Sequence, residues 1–364
     1  MAIDVRLSFC ITVYNQTELV KKCIESILPY KKNDIEIVIS DDNSTEDIEK
    51  VVLEYNDERI KYFKTRQNLG HDRNILNAIA CAEGEYVFIL RSRDRIVASS
   101  LPSIINKLSE SKCSYMATSS VNEKGIKNLV FRDAVYKVGK EASDAHFKLF
   151  VHPSGNIYRK NLVRIADLSK FLESEQISKH GFIVHDLIRM QLAEEGDFLT
   201  SSIIGWEYFT SENSKDIAVN SSATKESVYS SKYILQRFRW ESRWNLDYLN
   251  KENRERILIQ LIEFYLFQIT WNAKLANGNV RMQRHYNYEK VKYSVLKEQR
   301  NFKKTCSNII IAEYKMDMPM LILEKIFFKN IVMGSIKYFV MKALSGTKLY
   351  VIISNFYKKW IKGV

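Results

Sequence analysis

The chain has 364 residues, 46% of them hydrophobic, with only 4 prolines and 12 glycines. That apolar content supports one large core or two smaller ones and excludes a disordered or low-complexity protein. A net charge of +12 points to an anionic partner: a nucleotide diphosphate, a nucleic acid or an acidic membrane surface.

Five scattered cysteines without a CxxC spacing read as reduced core thiols, not as zinc ligands or a disulfide framework. Asp4 and Arg6 interrupt the N-terminus, so no leader is expected there. No window holds 18 uncharged apolar residues, so no spanning helix is expected and the reading is a cytoplasmic protein.

The first 95 residues alternate strand and helix patterns. Residues 6–14 form an apolar run rich in β-formers. Residues 17–28 place Leu19, Val20, Cys23, Ile24 and Ile27 on one helical face. Strand 35–40 follows. Ser44 and Asp47 then suggest a capping box that opens a helix over 45–55. A strand at 60–65, a helix at 71–83 and a strand at 86–90 complete the series. Repeated β-α-β units with wholly apolar strands predict an α/β fold with a mostly parallel sheet covered by helices. Ligands of such sheets sit beyond the carboxyl ends of the strands. The tips to inspect are Thr12–Asn15, Asp41–Ser44, Arg66–His71 and Arg91–Arg95.

Further along, the pattern predicts a helix at 99–109, strands at 114–121 and 129–138, a turn into a strand at 153–158 and a helix at 182–195. The expected organisation is an α/β domain over 1–210, a polar linker or mobile loop over 211–229, a helical region over 230–318 and a cationic amphipathic tail over 319–364. The tail carries eight lysines and one acid, Glu324, which accounts for seven of the twelve net charges. Lysines interleaved with aromatics suit a helix lying on an anionic leaflet; a packed helix with a solvated lysine face has the same composition.

Residues 86–95, YVFILRSRDR, run a buried strand into three arginines around one aspartate. SFCITVYN (8–15), VISDDNST (38–45), RQNLGHDRNILNAIACAEGEYVFIL (66–90) and HDLIRMQLAEEG (185–196) resemble, in order, the motifs of family 2 glycosyltransferases, which have the GT-A fold. NLGHDRNILNAI is similar to bacterial transferases that build capsules, O-antigens and other surface polysaccharides. The resemblance covers roughly residues 5–210.

That resemblance implies inverting transfer from a nucleotide-diphosphate sugar, UDP before dTDP or CDP, to a lipid-linked or surface glycan. It places uridine contacts at Thr12, Tyr14 and Asp42, on tips that also hold Asn15 and Asp41. The plain alternative for Asp42 is a turn residue before a capped helix. Asn68, His71 and Arg73, at a helix start, are candidates for the diphosphate or the donor sugar; a solvated Arg73 is the plain alternative.

The family usually carries an acidic cluster after the fourth strand, which binds Mg²⁺ or Mn²⁺ beside the leaving diphosphate. Arg91 and Arg93 stand where acids are expected, and only Asp94 remains. One carboxylate is a poor site for a hard cation, whereas guanidinium groups pair bidentately with phosphate. The expectation is that Arg93, helped by Arg91 or Arg95, replaces the metal. Asp94 is then left to bind a donor hydroxyl, to orient an arginine, or to hold a metal if one is used. No cofactor is expected. Two rivals stay open: a metal held in another way, and a catalytically silent relative that binds nucleotide or scaffolds an active transferase.

Asp186 matches the family's general base, or a helix N-cap, and His185 replaces the usual Glu beside it as an acceptor contact. QRFRW (236–240) resembles the QxxRW motif, which makes Arg239 and Trp240 acceptor candidates or ordinary helix residues. Trp206 reads as a sugar platform or as core. No motif supports nucleic-acid binding.

Overall fold

The structure, a computed structural model, describes residues 6–149, 152–179, 181–209, 231–278, 295–314 and 325–329. It divides into two compact units, Met1–Ala223 and Thr224–Val364. The linker expected at 211–229, and the tail expected over 319–364 apart from 325–329, lie outside the described residues.

The first unit is built on ten strands: β1 Leu7–Val13, β2 Ile35–Asp41, β3 Ile60–Lys64, β4 Tyr86–Arg91, β5 Arg95–Ile96, β6 Tyr115–Asn122, β7 Lys127–Leu129, β8 Ala134–Tyr136, β9 Asn156–Arg159 and β10 Phe198–Tyr208. They form one sheet in the order β3-β2-β1-β4-β9-β6-β10-β5, with β7 on β6 and β8 on β10. The first four strands are parallel, with Leu7 aligned to Ile35 and Tyr86. The central β1, β2 and β4 are buried almost throughout because helices cover both faces.

Beyond β4 the sheet becomes mixed. β9 runs antiparallel to β4 and β6, while β10 is parallel to β6 and antiparallel to β5. The antiparallel β5–β10 pairing brings Trp206 and Glu207 beside Ile96 and Arg95. That is how the far side of the sheet reaches the RSRDR segment.

The helices of this unit are α1 Thr17–Ile27, α2 Ile48–Leu53, α3 His71–Cys81, α4 Leu101–Ser111, α5 Lys140–Lys148, α6 Ile165–Ser174 and α7 Val184–Ala193. The helix expected at 45–55 is shorter, because its cap is Asp47, whose carboxylate accepts the N–H of Lys50 at 3.2 Å. Ser44 caps nothing: it donates to Asp41 and accepts the N–H of Asn15. The strand expected at 129–138 is split into β7 and β8, which pair with different neighbours. Helices α5 and α6 and the strand β10 had no counterpart in the sequence reading.

The second unit packs the helices Ser231–Tyr248, Arg254–Gly278 and Val295–Asn308 around Phe238, Trp244, Tyr265 and Phe302, all fully or nearly fully buried. The ring of Phe238 lies 4.9 Å from Phe302 and 5.7 Å from Tyr265. The buried Glu241 accepts the Tyr265 hydroxyl at 2.5 Å. Among the described residues, no helix is long and apolar enough to cross a membrane.

Candidate active site at the ends of the central strands

The parallel strands β1, β2 and β4 end side by side, with Thr12 in register with Ser40 and Arg91. Their tips are tied together by side chains. Asn15, with a positive φ of 49°, accepts the backbone N–H groups of Thr45 and Glu46 on its Oδ1. Asp41 is buried and takes the Ser44 N–H, the Ser44 hydroxyl and, at 2.6 Å, the Tyr62 hydroxyl. Asp42 grips the next loop by accepting the N–H groups of Leu69 and Gly70 at 2.5 and 2.9 Å. Burial, and secondarily the neighbouring Asp41, raise its pKa, although the two backbone bonds oppose the shift. Asn68 donates to the Asp42 carbonyl.

Thr12 and Tyr14 complete the tip, and neither side chain makes a hydrogen bond or ring contact among the described residues. Asn15, Asp41, Asp42 and Asn68 therefore shape the loops.

At the start of α3, Gly70 has φ +83°, and a Cβ there would fall 2.1 Å from the Lys179 carbonyl oxygen. Only glycine tolerates both the dihedral and the approach. His71 follows; its Nδ1 lies 3.1 Å from Asp72 Oδ1, and its ring is 4.2 Å from Phe182 and 5.8 Å from His185. Arg73 is committed elsewhere. Its guanidinium donates to the carbonyls of Ile177 and Leu172, at 2.9 and 3.1 Å, and so clamps the end of α6. The structure shows Arg73 in a structural role on this turn.

The RSRDR segment has a definite internal wiring. Asp94 is fully buried. Its Oδ2 accepts Arg91 Nε at 2.8 Å and the Ser154 hydroxyl at 2.5 Å; its Oδ1 accepts Arg91 Nη2 at 2.9 Å and the Phe209 N–H at 3.2 Å. A carboxylate offers about four lone-pair sites, and here four donors fill them. Ser154 also accepts the Arg91 N–H at 3.1 Å. Arg95 lies over the Phe209 ring at 4.0 Å. Arg91 is therefore engaged by Asp94 and Arg95 by the Phe209 ring alone, its buried Nε having no hydrogen-bond partner, while Arg93 makes neither a side-chain hydrogen bond nor a ring contact among the described residues. Burial, with Arg91 beside it, lowers the pKa of Arg93, and Asp94 only partly offsets this. An anion at Arg93 would relieve that penalty.

A divalent cation does not fit this donor set. Asp94 has no lone pair to spare, its neighbours are guanidinium groups, and among the described residues no three His, Cys, Asp or Glu side chains could hold a metal ion.

On α7, Asp186 sits in the first turn but is not the cap, a position held by Ile183. It accepts a hydrogen bond from the buried Arg189. Burial works against the charge of Arg189, but Asp186 together with Tyr158 and Tyr115 outweighs it and raises its pKa. His185 is buried, with Nδ1 at 3.3 Å from the Tyr158 hydroxyl and Nε2 without a partner among the described residues. Burial first, then His71 and Arg189, push its pKa well down, so it is neutral at pH 7.

Trp206 is corrected from sugar platform to core. It is fully buried, stacked on His152 at 4.9 Å, and backed by Gly155, where a Cβ would lie 2.1 Å from the indole nitrogen. Arg239 is exposed and Trp240 half-buried against Tyr233. Both belong to the second unit. The sequence reading missed His152 and Ser154, which precede β9, and Tyr208 and Phe209 at the end of β10. Nothing local marks them: they matter only because antiparallel pairing carries both segments to the β4 tip.

Residues 8–164 match the family model described as Glycosyl transferase family 2. Over 164 residues the chain is 29% identical to the GalNAc(5)-diNAcBac-PP-undecaprenol beta-1,3-glucosyltransferase of Campylobacter jejuni, covering 43% of this chain and 53% of that protein. Over 100 residues it is 37% identical to abequosyltransferase RfbV of Salmonella typhimurium, covering 26% and 30%. The chain thus spans about half the length of the first relative and under a third of the second. A crystal structure of S. aureus TarS 1-349 in complex with UDP-GlcNAc superposes with a TM-score of 0.58 at 16% identity, covering 92% of this chain and 91% of that one. This likeness shows the fold: GT-A, followed by helices.

Proposed function

From a chain that carries a family 2 glycosyltransferase domain over residues 8–164, we infer a protein that moves one sugar from a nucleotide-diphosphate donor, a UDP-sugar by preference, to a lipid-linked or surface glycan. In this reading the transfer inverts the anomeric centre and uses no divalent cation. The observation that carries it is the filled coordination of Asp94 beside an unengaged Arg93.

In the reaction, the acceptor oxygen attacks the anomeric carbon from the face opposite the diphosphate. The bond to the diphosphate breaks, and its electrons pass to the leaving oxygen. Arg93 stabilises that charge by bidentate hydrogen bonding. Arg91 is held bidentately on Asp94, so it stays in place as a fixed positive charge without reaching for the ligand. Asp186 takes the acceptor proton, and Arg189 orients it. Tyr14 stacks on the base, and Thr12 lies beside it. His185 lines the acceptor side.

The lipid-linked acceptor is supported by the Campylobacter relative, whose name carries PP-undecaprenol, and UDP by the ligand of the TarS structure. In this reading the protein works at the inner face of the cell membrane in surface-polysaccharide synthesis; the eight lysines against one acid in the stretch 319–364 support it.

The test is turnover of a panel of UDP-sugars by the purified protein on a lipid-linked acceptor, together with the Asp186→Asn variant. Expected are product of inverted configuration and, in the variant, a loss of about 100-fold or more in kcat with nucleotide binding kept. Retained turnover removes Asp186 from the role. Nucleotide binding with no turnover on any donor identifies the silent scaffolding relative instead.

A further inference from the structure

His152 opens the turn that leads into β9, and its imidazole is fixed on several sides. It stacks on Trp206 at 4.9 Å and meets Tyr208 edge-on at 5.2 Å, while the Tyr208 ring lies 5.3 Å from the guanidinium carbon of Arg91. Its carbonyl accepts Asn156 Nδ2 at 2.5 Å. Its Nδ1 accepts the N–H of Ser154 at 3.1 Å. Ser154 is the residue whose hydroxyl donates to Asp94 and accepts the Arg91 N–H. One serine therefore fixes both the imidazole and the Arg91–Asp94 pair.

The hydrogen bond at Nδ1 sets the tautomer. A nitrogen that accepts an N–H carries no proton, so the ring proton of the neutral imidazole is on Nε2. The Ser154 bond is the hydrogen bond of the ring, and none is formed at Nε2 among the described residues. The titratable groups facing the ring are Arg91 and Arg93, at and just beyond the end of β4, and the neutral His185 from α7, with Asp94 joined through Ser154. Burial first, and then Arg91, Arg93 and His185, press the pKa of His152 well below that of a free histidine. Adding a proton would also break the Ser154 bond. The ring is thus an uncharged donor with one free N–H, set among cations that attract an anion.

We propose that His152 is a further ligand-binding residue of the transfer site, donating a hydrogen bond from Nε2 to an oxygen of the donor's diphosphate alongside Arg93. Tautomer and orientation are set before the ligand arrives, so little is spent on reorganisation at binding. The inference rests on the reading of the site as a nucleotide-diphosphate site.

Two substitutions separate binding from scaffolding. In His152→Asn the amide oxygen takes the place of Nδ1 and keeps the Ser154 bond but reaches no ligand. In His152→Gln the amide nitrogen reaches the position of Nε2 but gives up the Ser154 bond. Titration of UDP-glucose or UDP-GlcNAc, read by calorimetry, should show the Asn variant weakened by roughly 10- to 100-fold and the Gln variant within about 3-fold of the parent. A merely structural histidine gives the reverse order, Asn near normal and Gln impaired, and that result overturns the proposal. Nitrogen-15 NMR of the unmutated protein needs no variant. The expected spectrum is the Nε2–H tautomer at neutral pH, with the Nε2–H resonance moving on ligand addition. An Nδ1–H tautomer, or an unmoved signal in the saturated complex, overturns it. Absence of any UDP-sugar binding by the parent protein overturns the nucleotide reading itself, and this inference with it.

Discussion

Replacing Asp94 by Asn keeps the shape of the side chain and removes its charge. Asp94 is fully buried, and each of its oxygens takes two donors: Arg91 Nε and Ser154 on one, Arg91 Nη2 and the Phe209 N–H on the other. An asparagine presents one oxygen and one NH₂. Whichever way the amide turns, its NH₂ faces an Arg91 donor and a second donor, and only the serine hydroxyl can rotate to accept.

Breaking a buried ion pair from one side costs about 3–5 kcal/mol. The Arg91 side chain retains 19% exposure, which screens the orphaned charge and favours the lower end, about 3 kcal/mol. For a unit of this size each kcal/mol is worth about 2–4 °C, so the midpoint of the first unit should fall by roughly 6–12 °C. Thermal and urea unfolding of the full chain provide the assay. In an Arg91→Met background the same Asp94→Asn change should cost distinctly less, because the charge it orphans is gone. A loss below about 1 kcal/mol, or equal losses in the two backgrounds, would refute the pairing.

Arg93→Met should weaken UDP-sugar binding by roughly 10- to 100-fold with little change in stability, since the side chain makes no hydrogen bond among the described residues; calorimetry and a thermal melt check both halves. Gly155→Ala should destabilise the first unit strongly, because φ is +86° and the added methyl would lie 2.1 Å from Trp206 Nε1; an unchanged melting temperature contradicts the packing. Arg73→Met should lower stability through the loss of two carbonyl partners on the α6 turn, yet leave nucleotide affinity within about 3-fold; a large affinity loss would return Arg73 to the ligand.

The parallel half of the fold was legible because β1, β2 and β4 are buried on both faces and announce themselves as unbroken apolar runs between helical faces. The second half was not. β10 is interrupted by register shifts at Ser201, Ile204 and Trp206, and carries serines and a glycine; its order comes from pairing with strands more than 60 residues away. The same holds at the site. The arginines around Asp94 could be read directly. Which arginine stays unengaged could not, because Ser154 and Phe209, more than 50 residues on, complete the shell of Asp94. Asp42 and Arg73 looked alike as loop-tip polar residues. Only geometry shows that Arg73 spends its guanidinium on α6.

The most direct measurement is calorimetric titration of a UDP-sugar into chelator-treated protein, repeated after adding Mn²⁺. The account predicts the same affinity in both titrations, because Asp94 keeps all four donors and Arg93 meets the diphosphate. A gain of tenfold or more with Mn²⁺, about 1.4 kcal/mol of coupling, would mean that a cation sits among these groups after all.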